Sequence, residues 1–422
     1  MATDRSFNDM LNQYLDIKML KEEQIKRNYV LRKIPKDNNW KGGSLIVPFK
    51  GAQASTLTWG SLAATTDVSD YEYVRGSVSS QRECWGTLKF RARDIAEHNG
   101  VKSGRVSEQS FLKIFPDQID EFMDYMKESV NIVCLAGNNF ATLTANSTAN
   151  DGNITVDRPE YFQLGQKVIV DDDDTAAATG YVKSININTG VINLVTTRGG
   201  STVVNFSGAP MTTAQNAKCF FDGAETATNV FTSMKSQLLS YTNGGSETLF
   251  GQTKTAYPYL QAYNYSGSAI TAMNILDKIF DAFVAAKKIG KGMPNTALMS
   301  YTNWGYCMKL LEIGSGPYKY VGDEASLYGW DEVTIKGPKG TLKIVAVNEM
   351  PDTEIFGIDW RGWKFYSNGW FRVQKDPEGK MYYTVRTSGA NGGYYYYVDI
   401  CLFGEQVCKA PSYNFIIHSI SI

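Results

Sequence analysis

Trp360-Arg-Gly-Trp-Lys-Phe-Tyr-Ser-Asn-Gly-Trp370 leads into Phe371 to Val385, which the turn residues Asp376-Pro-Glu-Gly379 fold into a long strand pair. A Gly- and Tyr-rich stretch follows, then Val398-Asp-Ile-Cys-Leu-Phe-Gly404 and Ala410-Pro-Ser-Tyr-Asn-Phe-Ile-Ile417. An apolar strand at this point ties the last residues into a sheet instead of leaving a loose tail. None of these residues suits acid–base or nucleophilic chemistry. The segment reads as architecture.

Working back from it, the chain alternates strand and helix. Leu342 to Val347 and Thr353 to Ile358 are strands, and Asn295-Thr-Ala-Leu-Met299 is a buried one. Thr302 is placed to cap a short helix through Leu311, ended by Gly314. Thr271 to Ile289 is a helix with Met273, Leu276, Phe280, Phe283 and Val284 inward, Lys287 and Lys288 in its last turn, and Gly290 as cap. This mixture is an α+β platform.

The strongest helix lies further upstream. Phe115, Ile119, Phe122, Met126, Val130 and Val133 form one apolar stripe, with Pro116 in the first turn and Gly137 as the left-handed cap. Composition then shifts. Thr142 to Gly152 is a polar linker, and Ser207 to Gln215 closes the same interval. Between them Gln166–Val170, Gly180–Ile185, Val191–Val195 and Thr202–Phe206 are short strands, with Asn188-Thr-Gly190 as the central hairpin turn. The pattern predicts a small all-β domain inserted into a larger one.

At the N-terminal side, Asp4 to Arg32 reads as an amphipathic helix, with Phe7, Met10, Leu11, Tyr14 and Ile17 on one face. From Ser44 to Phe90 the pattern is extended: Ser44–Phe49, Ser55–Trp59, Tyr71–Arg75 and Gly86–Phe90. Such a two-stranded excursion is marginal alone and must lie on another surface.

Composition narrows the function. The 422 residues suit two or three domains, and 43% hydrophobic content supplies real cores. With 42 basic and 43 acidic residues the net charge is −1, which argues against sequence-specific DNA reading. The six cysteines show no metal-ligand spacing and suit buried reduced thiols. No signal-peptide pattern opens the sequence, and no apolar run approaches the roughly 20 residues a membrane span needs. A reducing cytoplasm is the expected compartment. The 25 Tyr, 20 Phe and 8 Trp fit both sheet enrichment and protein–protein contact.

This order of parts resembles the major capsid proteins of tailed bacteriophages, the Hong Kong 97 fold. Pro294 to Trp304 resembles the family's axial-domain strand entering a helix, and Gly340 to Pro351 the strand and bend that follow. Trp370–Val373 and Tyr383–Arg386 resemble the long peripheral strands, and Leu402 to Ile416 the strand returning to the axial domain. The resemblance implies this division: 1–43 N-terminal arm; 44–100 extended loop, the E-loop; 101–141 spine helix of the peripheral domain. It continues with 142–218 as the inserted β-domain, 219–362 axial domain, 363–390 peripheral strands and 391–422 return strand. Its implied role is a homo-oligomer of pentamers and hexamers, closing an icosahedral virion shell around double-stranded DNA contacted without sequence preference. The further partners it implies are a portal protein and separate scaffolding and decoration proteins, assembled in the host bacterial cytoplasm with no membrane.

Candidate interface residues follow from apolar side chains on segments unable to pack alone. They are Phe7, Tyr14, Trp40, Trp59 and Trp85 in the arm and loop, with Tyr318, Tyr320 and Trp330 in the axial loop. Asp171 to Asp174 lacks the spaced oxygen pattern of a calcium loop and reads as a solvated hairpin tip. The two histidines, His98 and His418, are far apart, and no triad partner presents itself. No catalytic group, metal or cofactor is expected. The competing reading is a phage tail-tube or surface carbohydrate-binding structural protein; an enzyme is disfavoured.

Overall fold

A computed structural model describes residues 28–41, 43–52, 72–79, 81–91, 107–147, 151–171, 177–206, 212, 217–226, 228–243, 245–290, 292–313, 333–337, 340–375, 379–387 and 393–422. The chain divides into two compact units.

The first unit comprises Met1–Asn131, Phe250–Gln252 and Trp360–Lys409. Its axis is one strand of 16 residues, Gly393–Cys408, about 54 Å long at the usual rise. Arg82–Arg91 pairs antiparallel along one edge, from Tyr395↔Arg91 to Gly404↔Arg82. Along the other edge lie Tyr383–Thr387, Arg372–Val373 and Trp363–Ser367 in turn. Lys36–Asp37 adds a parallel strand beyond Trp363–Ser367. Val398, Ile400 and Leu402 are fully buried on one face of the long strand.

Against this sheet packs the helix Ser107–Ala136, about 45 Å long. A Cβ on Gly86 would stand 2.6 Å from both Met126 Sδ and Phe122 Cζ, so glycine lets helix and sheet approach. Ile119, Met126, Val130 and Val133 are buried on the helix, as the stripe predicts, while Phe122 is half-buried and Met123 beside it is buried. Gly137 at φ +120 caps it, its N–H donating to Val133 O at 3.2 Å.

Three expectations change here. Pro116 sits inside the helix, not in its first turn, because Phe111 and Phe115 continue the four-residue apolar spacing upstream. Arg372–Val373 and Tyr383–Thr387 do not pair with each other; both pair with Gly393–Cys408, where Tyr383 stacks on Tyr397 at 5.3 Å. Arg82–Arg91 leaves the extended excursion and joins the main sheet, burying Phe90. Among the described residues, Leu45–Ala52 and Glu72–Val78 form the two-stranded ribbon, and Ser55–Trp59 lies outside them. Of the expected Asp4–Arg32 helix, Tyr29–Lys33 is helical and residues 1–27 lie outside the described residues.

The second unit comprises Ile132–Leu249, Thr253–Asp359 and Ala410–Ile422. It holds a closed six-stranded barrel, in the order Lys218–Phe221, Asn139–Ala145, Asn153–Val156, Val191–Val195, Ala178–Asn186 and Lys167–Asp171. Lys167–Asp171, Ala178–Asn186 and Val191–Val195 are strands the sequence reads, and Asn139–Ala145, Asn153–Val156 and Lys218–Phe221 complete the barrel. Asn139–Ala145, read as leading into a linker, is a barrel strand: Phe140, Ala141 and Leu143 are buried, and Cys219 lies opposite both Ala141 and Val170. Thr202–Phe206 contributes only the bridge Val195↔Val203, although Val204 and Phe206 still fill the barrel core. Asn188-Thr-Gly190 turns as read, with Asn186 Oδ1 accepting from the Asn188 and Thr189 N–H groups.

The unit also contains a mixed six-stranded sheet. Its order is Tyr263–Ser266, Phe415–His418, Ile355–Ile358, Thr296–Met299, Gly340–Ala346 and Val333–Gly337. Ile275, Ile279 and Phe283 of the helix Ile275–Gly290 join Met299, Ile344, Phe415 and Ile417 in one core. This helix starts later than expected, so Met273 is 70% exposed, not inward. Asn274 holds the start instead: its Oδ1 accepts from Thr271 N–H and its carbonyl from Lys278 N–H. Tyr301–Ile313 is likewise capped by Ser300 and not Thr302, with Ser300 Oγ accepting from Asn303 N–H at 3.3 Å.

Asn414 fastens the last strand. It is fully buried; its Oδ1 accepts from Asp359 N–H at 2.8 Å, and its Nδ2 donates to the carbonyls of Ala410 and Pro411. Phe415–His418 therefore enters the sheet interior, as the terminal apolar run predicts.

Candidate assembly surface

The ribbon has two unlike faces. Val47, Phe49, Val74 and Val78 are buried on one. Phe49 stacks on Phe250 at 6.3 Å, Ser77 N–H donates to Phe250 O, and Gln252 Nε2 donates to Arg75 O. Gly76 sits so close to Phe49 that a Cβ would lie 2.4 Å from its ring. The registers Ile46↔Ser77 and Pro48↔Arg75 put the remaining side chains on the opposite face, where Ile46 is 59% and Tyr73 64% exposed.

The sheet carries a second such face. Registers Tyr397↔Lys89, Asp399↔Thr87 and Cys401↔Trp85 place those residues together, opposite the side that packs the helix. Trp85 is 49% and Tyr383 45% exposed. Trp85 meets Phe403 edge-on at 5.2 Å, Lys89 Nζ lies 4.0 Å from the Tyr395 ring centroid, and the Arg372 guanidinium lies 5.0 Å from that of Phe403. Thr87 Oγ1 donates to Asp399 Oδ1 at 2.7 Å. Burial, with Asp399 beside it, raises the Tyr383 phenol above its ordinary pKa. The rings are held by cross-strand contacts yet keep large apolar area in solvent.

The N-terminal segment is anchored beside this sheet. Asp37 Oδ2 pairs with Lys364 Nζ at 2.7 Å, which lowers the carboxyl pKa and raises that of the ammonium. Ser367 Oγ donates to Asn38 Oδ1, and Trp40 N–H donates to Ser367 O.

Of the expected interface residues, Trp85 is exposed on the sheet face. Trp40 is not exposed: only 6% of it reaches solvent, its indole donates to Gly43 O at 3.0 Å, and its carbonyl accepts from Gln81 Nε2. The exposure that singled it out is absent, because its own chain satisfies and covers it. Phe7, Tyr14, Trp59, Tyr318, Tyr320 and Trp330 lie outside the described residues. Ile46, Tyr73, Tyr383 and Phe403 were not singled out. For Ile46, Tyr73 and Phe403 the signal was strand parity, since each adjoins a buried residue; Tyr383 begins an exposed run to Arg386 and carries no such signal.

Chemistry is sparse elsewhere. Among the described residues no cluster of three or more His, Cys, Asp or Glu could hold a metal, and no helix is long and apolar enough to cross a membrane. Asp171 ends a barrel strand, and Asp172 to Asp174 lie outside the described residues. His418 is partly buried in the last strand, which lowers its pKa, and Nδ1 lies 3.1 Å from the adjacent Ser419 Oγ. Burial pushes the Cys307 thiol up to about 12, as suits an inert buried thiol.

No protein-family model matches the sequence, and no curated protein matches it. Among solved structures the chain is similar to one from the capsid asymmetric unit of cyanophage A-1(L), at 10% identity, 92% and 91% coverage of the two chains and a TM-score of 0.49. It is similar to the capsid of Myoviridae phage XM1 at 9% identity, 93% and 91% coverage and a TM-score of 0.41. It is also similar to the virus-like particle from Pyrococcus furiosus, at 7% identity, 94% coverage of both chains and a TM-score of 0.38.

Proposed function

We propose that this chain is a shell-forming structural protein, the major capsid protein of a tailed double-stranded DNA bacteriophage. One observation carries the reading: a single unit leaves two unlike apolar faces in solvent, a narrow ribbon bearing Ile46 and Tyr73 and a broad sheet bearing Trp85 and Tyr383. Paired with each other, two unlike faces make a contact that is not self-matching. They suit a head-to-tail contact between copies, which forms a ring wherever the rotation closes. Rings of five and six, repeated over a lattice, give an icosahedral head from individually weak contacts. The resemblance in the order of parts points the same way, and it supplies the portal, scaffolding and decoration proteins as partners, the virion as location and the bacterial cytoplasm as the site of assembly.

The test is negative-stain electron microscopy with sedimentation on the chain alone and with scaffold candidates. Closed shells, curved sheets or five- and six-membered rings are expected. A discrete small oligomer under every condition overturns the reading and directs attention to carbohydrate binding by the barrel.

A further inference from the structure

Asn368-Gly369 turns the chain between the strands Trp363–Ser367 and Arg372–Val373. Gly369 stands at φ +96, a region that glycine enters without a steric penalty, and a Cβ there would meet nothing within 4 Å. The backbone of Asn368 is held at both ends. Its N–H donates to Phe403 O at 3.2 Å, and its carbonyl accepts from Arg372 Nη1 at 3.3 Å. Its side chain is not held. Among the described residues neither the Asn368 side-chain amide nor the Gly369 N–H makes a hydrogen bond, and both residues are half-buried, within reach of water.

A free side-chain amide, an unbonded N–H on the next residue and open space beside it allow an intramolecular ring closure. Loss of the Gly369 N–H proton to a solvent base leaves an amidate whose charge lies largely on Asn368 O. That oxygen is the one the Arg372 guanidinium meets, and a bond to a cation strengthens as its acceptor becomes anionic. The Gly369 nitrogen then bonds to Asn368 Cγ. The Cγ–Nδ2 bond breaks, and Nδ2 takes a proton from water and leaves as ammonia. Water opens the resulting succinimide at either carbonyl, giving aspartate or isoaspartate at position 368. Nothing is oxidised or reduced, and water is the single co-reactant.

We infer that Asn368-Gly369 is a site of spontaneous deamidation, promoted by Arg372, at which the subunit gains one negative charge as it ages. The inference is independent of the capsid reading, since the chemistry needs one chain and water. A plainer role exists for part of the pair: asparagine and glycine are favoured turn residues. Turn chemistry accounts for Gly369 but not for a guanidinium placed on the carbonyl whose charge grows during ring closure. Asn243 also precedes a glycine, yet its Nδ2 is tied to Ser240 Oγ at 2.8 Å. Asn99 and Asn391 precede glycines outside the described residues. The product has a local consequence. A carboxylate at 368 competes for the exposed Arg372 guanidinium, which now lies 5.0 Å from the Phe403 ring centroid, at the edge of the face that carries Trp85.

The experiment incubates the full chain at neutral and mildly alkaline pH and follows each asparagine by peptide mapping and mass spectrometry, with digestion in mild acid to prevent conversion during handling. Conversion at Asn368 should outpace that at Asn243, rise in proportion to hydroxide, and give both aspartate and isoaspartate. Arg372→Gln should slow it about fivefold, the rate equivalent of about 1 kcal/mol for an exposed charge-assisted hydrogen bond, while Arg372→Lys restores part of the rate. In denaturant, where Arg372 leaves the carbonyl, the rates at Asn368 and Asn243 should converge. An Asn368 that stays intact while Asn243 converts overturns the inference. So does an unchanged rate in Arg372→Gln with the melting temperature preserved. Aspartate without isoaspartate would mean direct hydrolysis of the amide with no ring, and a lead for Asn368 that persists in denaturant would place the cause in local sequence; either result also overturns it.

Discussion

Replacing Trp85 with alanine tests the assembly surface most directly. A tryptophan presents up to about 250 Å² of surface, so the 49% that remains in solvent is about 120 Å². Covered at a subunit contact, at about 25 cal/mol per Å², that area stabilises the contact by about 3 kcal/mol. A ring has one such contact per subunit, so the concentration at which assembly begins should rise about 100-fold. Inside the subunit the change is smaller. Trp85 loses its edge contact with Phe403, worth about 1 kcal/mol, and its indole bond to the exposed Glu83. The assay follows the assembled fraction by sedimentation velocity across a concentration series, with thermal melting of the unassembled subunit as control. A shifted threshold with a melting temperature within a few degrees of wild type is expected. An unchanged threshold would show that this sheet face meets nothing, and the assembly argument would fail.

Asn414→Ala removes the partners of Asp359 N–H and of two carbonyls in a fully buried site, and should cost about 2–3 kcal/mol in denaturant unfolding, with Asn414→Asp failing to restore it. Gly86→Val places a methyl group where Met126 and Phe122 already sit; it should destabilise the first unit by about 2 kcal/mol, and protease protection of the helix Ser107–Ala136 should weaken. The Asp37–Lys364 pair sets a pH window for the N-terminal anchor. Asp37 has a lowered folded pKa, so its contribution is present above its unfolded value of 3.8 and lost as pH falls through the folded value. Lys364 has a raised one, so its contribution is present below 10.5 and lost as pH climbs through the folded value. Limited proteolysis near residue 37 should therefore accelerate at both extremes in wild type and lose its pH dependence in Asp37→Asn.

Local rules account well for the elements whose determinants lie within one segment. The stripe from Ile119 to Val130, the Asn188 turn, the buried Thr296–Met299 strand and the Phe415–His418 strand all follow from spacing, turn chemistry or apolar runs. Pairing did not follow, because partners are distant. Arg82–Arg91 finds its neighbour more than 300 residues later, and Asn139–Ala145 gains its second barrel neighbour only in distant Lys218–Phe221. The same limit governs the surface. Trp40 and Trp85 look alike in sequence, yet Ser367 and Gln81 cover one while parity turns the other outward. Which parity faces solvent depends on what packs against the strand: distant Phe250 for the ribbon of Tyr73 and the long helix for the sheet of Trp85.

The sheet of the second unit also has a timetable. Among the described strands Tyr263–Ser266 pairs only with Phe415–His418, some 150 residues downstream, and that strand also completes the edge of Ile355–Ile358. Until residue 418 has left the ribosome, Tyr263–Ser266 lacks its described strand partner and the helix Ile275–Gly290 lacks Phe415 and Ile417 beneath it. Closing so long a loop is slow, and the half-built sheet offers an open edge while it waits. A chain cut short before Phe415 would therefore never present a finished subunit. Synthesis itself would proofread what is admitted to a growing assembly.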